Sequence, residues 1–376
     1  MRITCGEHTI DALYVVVLGQ VTGKVASTGY QVYRILFYLE LDIRGERFCA
    51  YPVDSVPEVL WHYYPVRGGA SLRRLLRMAS KFHLGHLFLR RVENPLSPYG
   101  CEADVLQKDL KKLFCGREIS LAFAWPAPSR SAGRIYAYAF SADGEMLAYV
   151  KLASAAKDIS ELGKEVNALS LMATKSSLPF SFPSILTEGM LGNNIRYVVF
   201  SLLPSDCDSV NWSDKSWDES LKVLHDAFSD GSNRTLSKSD ALSTAWAVAF
   251  RRRASSEDYE ILARSCAVGI AVSANHGDMA LHNIRRKDGR WWLFDWETFA
   301  DDAPMLVDEL TVYVCTRYFI CKCGYENLVE QMKKDYPIGD KSVVACIVQA
   351  AAFIYAYDLS FADEFLSIFR EYGKAL

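Results

Sequence analysis

The sequence lacks several features that would assign it to other classes of protein. It has no uninterrupted apolar run of the roughly 18–20 residues that a membrane-spanning helix needs. The nearest candidate, Val343 to Tyr357, is interrupted by Gln349 and predicts a buried helix instead. The net charge of −3 gives no whole-chain attraction to nucleic acid, and the ten cysteines include no pair of CxxC sequences. These absences disfavour a membrane-embedded protein, a nucleic-acid-binding protein and a zinc-finger protein.

The composition is that of an ordinary packed protein. Of the 376 residues, 50% are hydrophobic and 23% are charged, which excludes a disordered chain and allows two or three domains. The short apolar run from Ala12 to Leu18 follows Glu7 and Asp11 and has no basic start, so it does not predict a secretion signal. We therefore expect a cytoplasmic protein with reduced cysteines.

The most informative stretch of the chain runs from Asn275 to Glu297. It contains a His-Gly-Asp sequence ending at Asp278, then Asn283, then an Asp-Gly turn and an apolar strand that ends at Asp295. A carboxylate on a loop is suited to accept the proton of an attacking hydroxyl. Carboxylate and carboxamide oxygens are also ligands that magnesium accepts beside a triphosphate. The order of these groups predicts phosphoryl transfer.

A second informative region precedes it in the chain. Two strands, Arg134–Phe140 and Glu145–Lys151, are predicted on either side of an Asp-Gly hairpin turn. A helix is predicted from about Asp158 to Met172, with an apolar face and with Glu161 and Glu165 beside that face.

The stretch at 275–297 resembles the catalytic loop and metal-binding strand of the aminoglycoside phosphotransferase and choline kinase-like group, which are distant relatives of protein kinases. By this resemblance, Asp278 matches the catalytic aspartate, whereas Asn283 and Asp295 match the magnesium ligands. The resemblance covers roughly residues 120–376 and implies ATP and Mg²⁺ as cofactors.

The resemblance also implies a nucleotide site in the small lobe. Lys151 would contact the α- and β-phosphates of ATP, and Glu165 would pair with it, with Glu161 as the alternative partner. The end of the strand at 195–203 would be the hinge that meets the adenine, through Ser201, Leu202 and Leu203. The predicted phosphate loop at 129–133 has one glycine rather than three, which departs from the full protein-kinase pattern.

The resemblance further implies that activity does not depend on phosphorylation. Gly277 stands where protein kinases of the His-Arg-Asp type carry an arginine that reads a phosphorylated activation loop. Only residues 296–305 separate Asp295 from the next apolar segment, which leaves no room for a long activation segment.

Residues 59–92 form a basic stretch without an acidic residue. Residues 70–82 within it predict an amphipathic helix with Arg73, Arg77 and Lys81 on one face. Two interpretations stay open: a solvated face of a small domain, or a surface for anions such as a membrane, a lipid-linked glycan or nucleic acid. An anionic membrane surface is thus an alternative partner through residues 67–91, which would make the cytoplasmic protein peripheral to the membrane.

Together these observations predict an α+β, two-lobed protein kinase-like fold with an extra N-terminal α/β segment. The expected domains are an N-terminal extension at 1–115, a kinase-like small lobe at 116–203 and a helical lobe at 204–376. The expected function is ATP- and Mg²⁺-dependent phosphorylation of a hydroxyl on a sugar, aminoglycoside, amino alcohol or glycan. The excess of acidic residues after Asp301 favours a cationic or polyhydroxyl acceptor. Two alternatives are a nucleotide-binding pseudokinase that acts as an interaction module, and a membrane- or polyanion-binding protein with a basic surface.

Overall fold

A computed structural model describes residues 38–43, 46–52, 90–126, 133–175, 178–192, 194–204, 207–209, 234–357 and 362–376. The predicted basic helix at 70–82 lies outside the described residues, as do positions 129–132 of the predicted phosphate loop. Of the basic stretch, the structure describes Arg90–Val92, a short strand whose two arginines are exposed.

One antiparallel sheet forms the strand-rich lobe. Among the described residues, its strands are ordered β3-β1-β2-β4-β5-β6-β9-β8. Their bounds are β1 Tyr38–Ile43, β2 Glu46–Pro52, β3 Arg90–Val92, β4 Ile119–Ala124, β5 Arg134–Ser141, β6 Met146–Ala153, β8 Ile185–Leu191 and β9 Ile195–Phe200. Strand β2 pairs with β4, so strands from both sides of the predicted boundary at 115/116 belong to the same sheet.

Side chains alternate between the two faces of a strand, so both faces of this sheet carry apolar residues. One helix packs against each face. Helix α1 (Ala103–Leu113) packs Leu106 and Leu110 against one face. Helix α2 (Ala156–Ala173) buries its apolar stripe against the other face, where β6 and β9 carry Ala153 and Val198. The predicted helix at 158–172 and the predicted hairpin of β5 and β6 are both present.

The helical lobe follows, with helices that pack around one apolar core. In the part of the chain that the structure describes, they are α3 Lys238–Ser243, α4 Ala245–Arg253, α5 Ser256–Ser265, α6 Val307–Val314, α7 Tyr325–Asp335, α8 Lys341–Ala356 and α9 Ala362–Gly373. Of the 16 residues of helix α8, 11 are buried, as its apolar sequence predicts. No described helix is long and apolar enough to cross a membrane.

Two small sheets lie with these helices. One is ordered β10-β13-β14-β7 and the other β11-β12-β15. Their strands are β7 Phe180–Ser181, β10 Asp208–Ser209, β11 Arg234–Leu236, β12 Ile270–Asn275, β13 Ile284–Lys287, β14 Arg290–Leu293 and β15 Ala300–Pro304. The predicted fold class, α+β with a strand-rich lobe and a helical lobe, is confirmed.

Candidate active site

The loop at residues 276–278 leaves the end of β12 and is fixed by the first turn of α6. The side chain of Asp308 accepts hydrogen bonds of 2.8 Å from the backbone N–H groups of His276 and Gly277. Burial raises the pKa of Asp308 to about 8, and the two N–H groups oppose that rise. Gly277 has φ +87°, and an added Cβ would lie 2.3 Å from the carbonyl oxygen of Thr298. The loop conformation therefore requires glycine at this position.

Asp278 and Asn283 are brought together by a short 3₁₀ turn, Leu281–Asn283. The Asn283 amide donates to the backbone oxygen of Asp278 at 2.9 Å and to its carboxylate at 3.2 Å. Asn283 is buried, so this contact fixes the orientation of the Asp278 side chain. The two residues that the motif pairs by spacing are thus neighbours in space.

Lys151 lies at the centre of the site, in strand β6. Its ammonium nitrogen donates to both carboxylate oxygens of Glu165 at 2.8 Å and to Asp295 at 2.6 Å. Burial alone would lower the pKa of Lys151, but the charges of Asp295 and Glu165 outweigh it and raise that pKa. Of the two glutamates considered for this pair, Glu165 makes the contact, whereas Glu161 lies 3.1 Å from Arg134.

Asp295 has a backbone conformation that few residues adopt. It has φ +70°, in the left-handed region where aspartate and asparagine are enriched among non-glycine residues. Burial would raise its pKa, but the ammonium of Lys151 lowers the pKa below the usual value for an aspartate. Asp295 is therefore held as a carboxylate two residues after the end of β14, where 36% of its side chain is exposed.

Two residues near this centre were not predicted from the sequence. Arg134, at the start of β5, is buried and lies 3.1 Å from Glu297, two residues after Asp295. Burial and the Asp295 charge raise the pKa of Glu297 to about 7. Glu297 belongs to the Asp-Trp-Glu sequence that ends the motif, which was its one sequence signal. No periodicity marks the contact with Arg134, because the two residues are far apart in the chain.

The carboxylates nearest Asp295 offer a candidate metal site. Glu165, Asp295 and Glu297 each present one oxygen, and these oxygens all lie within 4.8 Å of one another. Oxygen ligands of this kind suit magnesium. The group includes the predicted ligand Asp295, whereas the predicted ligand Asn283 contacts Asp278 instead. The role of Asn283 toward a metal stays a prediction.

A cleft of about 450 Å³ lies beside Lys151. Lys151, Glu165 and Asp295 line it together with the predicted hinge residues Ser201, Leu202 and Leu203. One wall is aromatic, formed by Tyr136, Tyr138, Tyr149 and Phe200. A cleft with an aromatic wall at one part and a charged group at another can hold a planar ring attached to phosphates.

The chain has similarities to several solved structures. It is similar to a thermostable mutant of aminoglycoside phosphotransferase APH(4)-Ia in a ternary complex with ADP and hygromycin B, with a TM-score of 0.47, 11% identity and coverage of 72% of this chain and 98% of that chain. For spectinomycin phosphotransferase APH(9)-Ia with ADP and spectinomycin, the TM-score is 0.41, with 13% identity and coverage of 73% and 97%. For the GDP and kanamycin complex of APH(2")-IIia, it is 0.41, with 12% identity and coverage of 72% and 98%.

No family model matches the sequence, and no curated protein sequence matches it. The structural similarities identify neither the family nor the activity of this chain.

Proposed function

We propose that this protein is a phosphotransferase that uses ATP and magnesium to phosphorylate a hydroxyl group of a small molecule or glycan. The observation that carries the proposal is the buried Lys151, held by Glu165 and Asp295 at the edge of the cleft. A lysine in a strand paired with a glutamate on the adjacent helix is the arrangement that positions nucleotide phosphates in kinases.

The nucleotide would occupy the cleft, with its base between the aromatic wall and Ser201–Leu203. Its α- and β-phosphates would reach Lys151, whose ammonium balances their charge. Asp295 keeps about a third of its side chain exposed, so its oxygens are available to a metal ion. Magnesium bound there would neutralise charge on the β- and γ-phosphates during transfer.

Asp278 is the proposed base. Its carboxylate, oriented by the Asn283 amide, would accept the proton of the acceptor hydroxyl as the oxygen of that hydroxyl forms a bond to the γ-phosphorus. The bond between the γ-phosphorus and the bridging oxygen breaks, and ADP leaves with the bonding electrons. Most of the rate enhancement would come from positioning and electrostatic stabilisation, because a loose phosphoryl transition state needs little covalent chemistry from the protein.

The proposal predicts different effects for three substitutions. Asp278→Asn should leave nucleotide–magnesium binding near normal and lower turnover by about 10²–10⁴-fold, the range for a positioned acid–base group. Asp295→Asn and Lys151→Ala should weaken nucleotide binding as well as turnover, because these residues act on the metal and the phosphates. The measurements are nucleotide titrations with and without magnesium, and phosphate transfer to a panel of aminoglycosides, amino alcohols, sugars and lipid-linked glycans.

Asp363→Asn provides the matched control, since Asp363 is an exposed residue in the first turn of α9. This variant should bind nucleotide and turn over like the wild-type protein. If the wild-type protein bound nucleotide but transferred phosphate to no acceptor, and Asp278→Asn changed nothing, the enzyme would be rejected in favour of a nucleotide-binding interaction module.

A further inference from the structure

Arg134 is a buried cation with carboxylates on two other elements around it. Its guanidinium lies 3.1 Å from Glu161 and 3.7 Å from Asp158, both on α2, and 3.1 Å from Glu297 in the segment that follows β14. Only 4% of the arginine is exposed. A charge buried to this extent persists in a fold when it is paired, because removing it from water is costly.

The contacts of Arg134 repeat those of Lys151 one helical turn away. Tyr136 on β5 is the cross-strand partner of Lys151 on β6, and Arg134 lies two residues before Tyr136, so the two cations point to the same face of the sheet. Each cation joins a glutamate of α2 to an acid of the segment after β14. For Lys151 these are Glu165 and Asp295, and for Arg134 they are Glu161 and Glu297.

The backbone before Arg134 is fitted closely to the start of α2. Gly133 accepts a backbone hydrogen bond from Ser154, and a Cβ at Gly133 would lie 2.5 Å from the backbone nitrogen of Ala155. Any larger residue would push β5 away from the helix. Glycine at this position therefore brings the Arg134 side chain within reach of α2 and of Glu297.

The two bridges differ in their relation to the cleft. Lys151 and Asp295 both line it, so a bound nucleotide and metal would compete for their mutual contact. Arg134 and Glu297 do not line it. A nucleotide can therefore enter the cleft without breaking the contact between Arg134 and Glu297.

We propose that Arg134 and Glu297 are positioning residues that hold the segment carrying Asp295 against α2 while Lys151 is engaged with nucleotide phosphates. This inference rests on the proposed function, because it concerns the same phosphate and metal site. Lys151 stops holding Asp295 when it engages the phosphates. Without the contact between Arg134 and Glu297, Asp295 would then lose its fixed position relative to Glu165.

The first test compares Arg134→Gln, Glu297→Gln and the double variant in nucleotide titrations with and without magnesium. Each single variant should weaken magnesium-dependent binding by about 10–100-fold, as the loss of a residue that orients a metal ligand does. Binding without magnesium should stay unchanged. The double variant should be no weaker than Arg134→Gln alone, because Arg134→Gln already removes the contact that Glu297→Gln removes. Arg134→Lys keeps the charge and should recover part of the affinity.

Additive losses in the double variant would overturn the inference, since they would mean that Glu297 acts on the metal independently of Arg134. Equal losses with and without magnesium would also overturn it, because they would indicate general damage to the lobe. Arg370→Gln is the matched control. It breaks a double contact of 2.8 Å with Asp258 in the helical lobe. Neither residue lines the cleft, so this variant should not change magnesium dependence.

A second measurement does not need a nucleotide. Hydrogen exchange of the backbone amides at residues 294–299 should be faster in Arg134→Gln and Glu297→Gln than in the wild-type protein or in Arg370→Gln. Unchanged exchange there would overturn the inference even if the chain bound no nucleotide, whereas a lack of nucleotide binding would reject the proposed function alone. If Arg134→Gln did not fold, Glu297→Gln would still decide the result, since 31% of the Glu297 side chain is exposed.

Discussion

His276 connects the loop that carries Asp278 to the segment that carries Asp295. Its Nε2 lies 3.0 Å from the carbonyl oxygen of Phe294, and its ring centre lies 4.5 Å from that of Trp296. A ring nitrogen that faces a carbonyl oxygen must carry the proton and donate it. Complete burial lowers the pKa of His276 to about 4, so the ring is neutral at physiological pH.

The buried, neutral His276 predicts a contribution to stability that is lost in acid. The unfolded chain takes up a proton at this residue near pH 6.5, and the folded chain does so only near pH 4. At this residue the unfolded state therefore binds more protons between these values, and the contribution of His276 to the free energy of unfolding falls as the pH is lowered through that range. The contribution of His276 to the free energy of unfolding is fully present above pH 6.5. The contribution of this residue is on the order of 3 kcal/mol.

His276→Gln tests this prediction, because glutamine keeps an amide donor for Phe294 and does not titrate. Urea unfolding at pH 7 and at pH 4.5 should show a smaller loss of stability for the variant than for the wild-type protein. An equal loss in both proteins would show that other groups account for the acid sensitivity.

Single residues of the site were predictable where the motif fixes their spacing along the chain. Asp278 and Asn283 follow one loop, so their contact could be anticipated from five residues of sequence. The choice between Glu161 and Glu165 could not, because both lie beside the same helix face, one turn apart. Arg134 and Glu297 were missed because an ion pair between distant chain segments leaves no periodic signal.

At the scale of elements, the turns gave the most dependable signals. Asp288 and Gly289 both have positive φ, 50° and 77°, and they join β13 to β14 as an Asp-Gly sequence predicts. The strand before the hinge is shorter than expected, because β9 ends at Phe200 and the chain at Ser201–Leu203 has no regular structure. Pro204 follows these residues and cannot donate to a strand ladder, which is consistent with an early end.

Helix α8 illustrates how one polar residue orients a buried element. Gln349 is buried on this helix, and its side-chain amide donates to the backbone oxygen of Ser265 at the end of α5, at 2.9 Å. Gln349→Met, of similar shape, should lower the free energy of unfolding by about 1–3 kcal/mol, because a buried donor to that carbonyl is lost. Urea unfolding provides the measurement.

Lys341→Met is the control for this substitution, since Lys341 is an exposed residue at the start of the same helix. It should change the free energy of unfolding by less than about 0.5 kcal/mol, as most exposed substitutions do. A gain of stability in Gln349→Met would show that the apolar surroundings of α8 outweigh the lost hydrogen bond.

At the scale of the whole molecule, the fold class could be predicted because hairpin turns and apolar periodicity cluster in different parts of the chain. The extent of the large sheet could not. Strand β2 pairs with β4 through Cys49 and Ala50, and nothing in its sequence indicates which strand it joins. Pairing between strands of distant sequence depends on the whole packed core, which single strands do not encode.

The connection from the site to the helical lobe carries a prediction about how the proposed activity is controlled. Between Asp295 and the start of α6 at Val307, the chain contains the short strand β15 and adjoining turns. Strand β15 pairs with β12, and β12 leads into the loop that carries Asp278. The segment after Asp295 is therefore hydrogen-bonded to the strand that precedes the site. The loop itself is held by Asp308, which accepts a hydrogen bond from the backbone N–H group of Gly277.

Because the elements that order the site are internal to it, we expect turnover that needs no phosphorylation. Protein freed of phosphate by a phosphatase, and shown to be so by intact-mass measurement, should phosphorylate its acceptor with the same kcat and KM as untreated protein. A mock treatment with heat-inactivated phosphatase controls for handling. A strict requirement for a phosphorylated residue would instead indicate that the site is ordered by a step outside the segment from Asp295 to Val307. That result would contradict the proposal that this site is complete as folded.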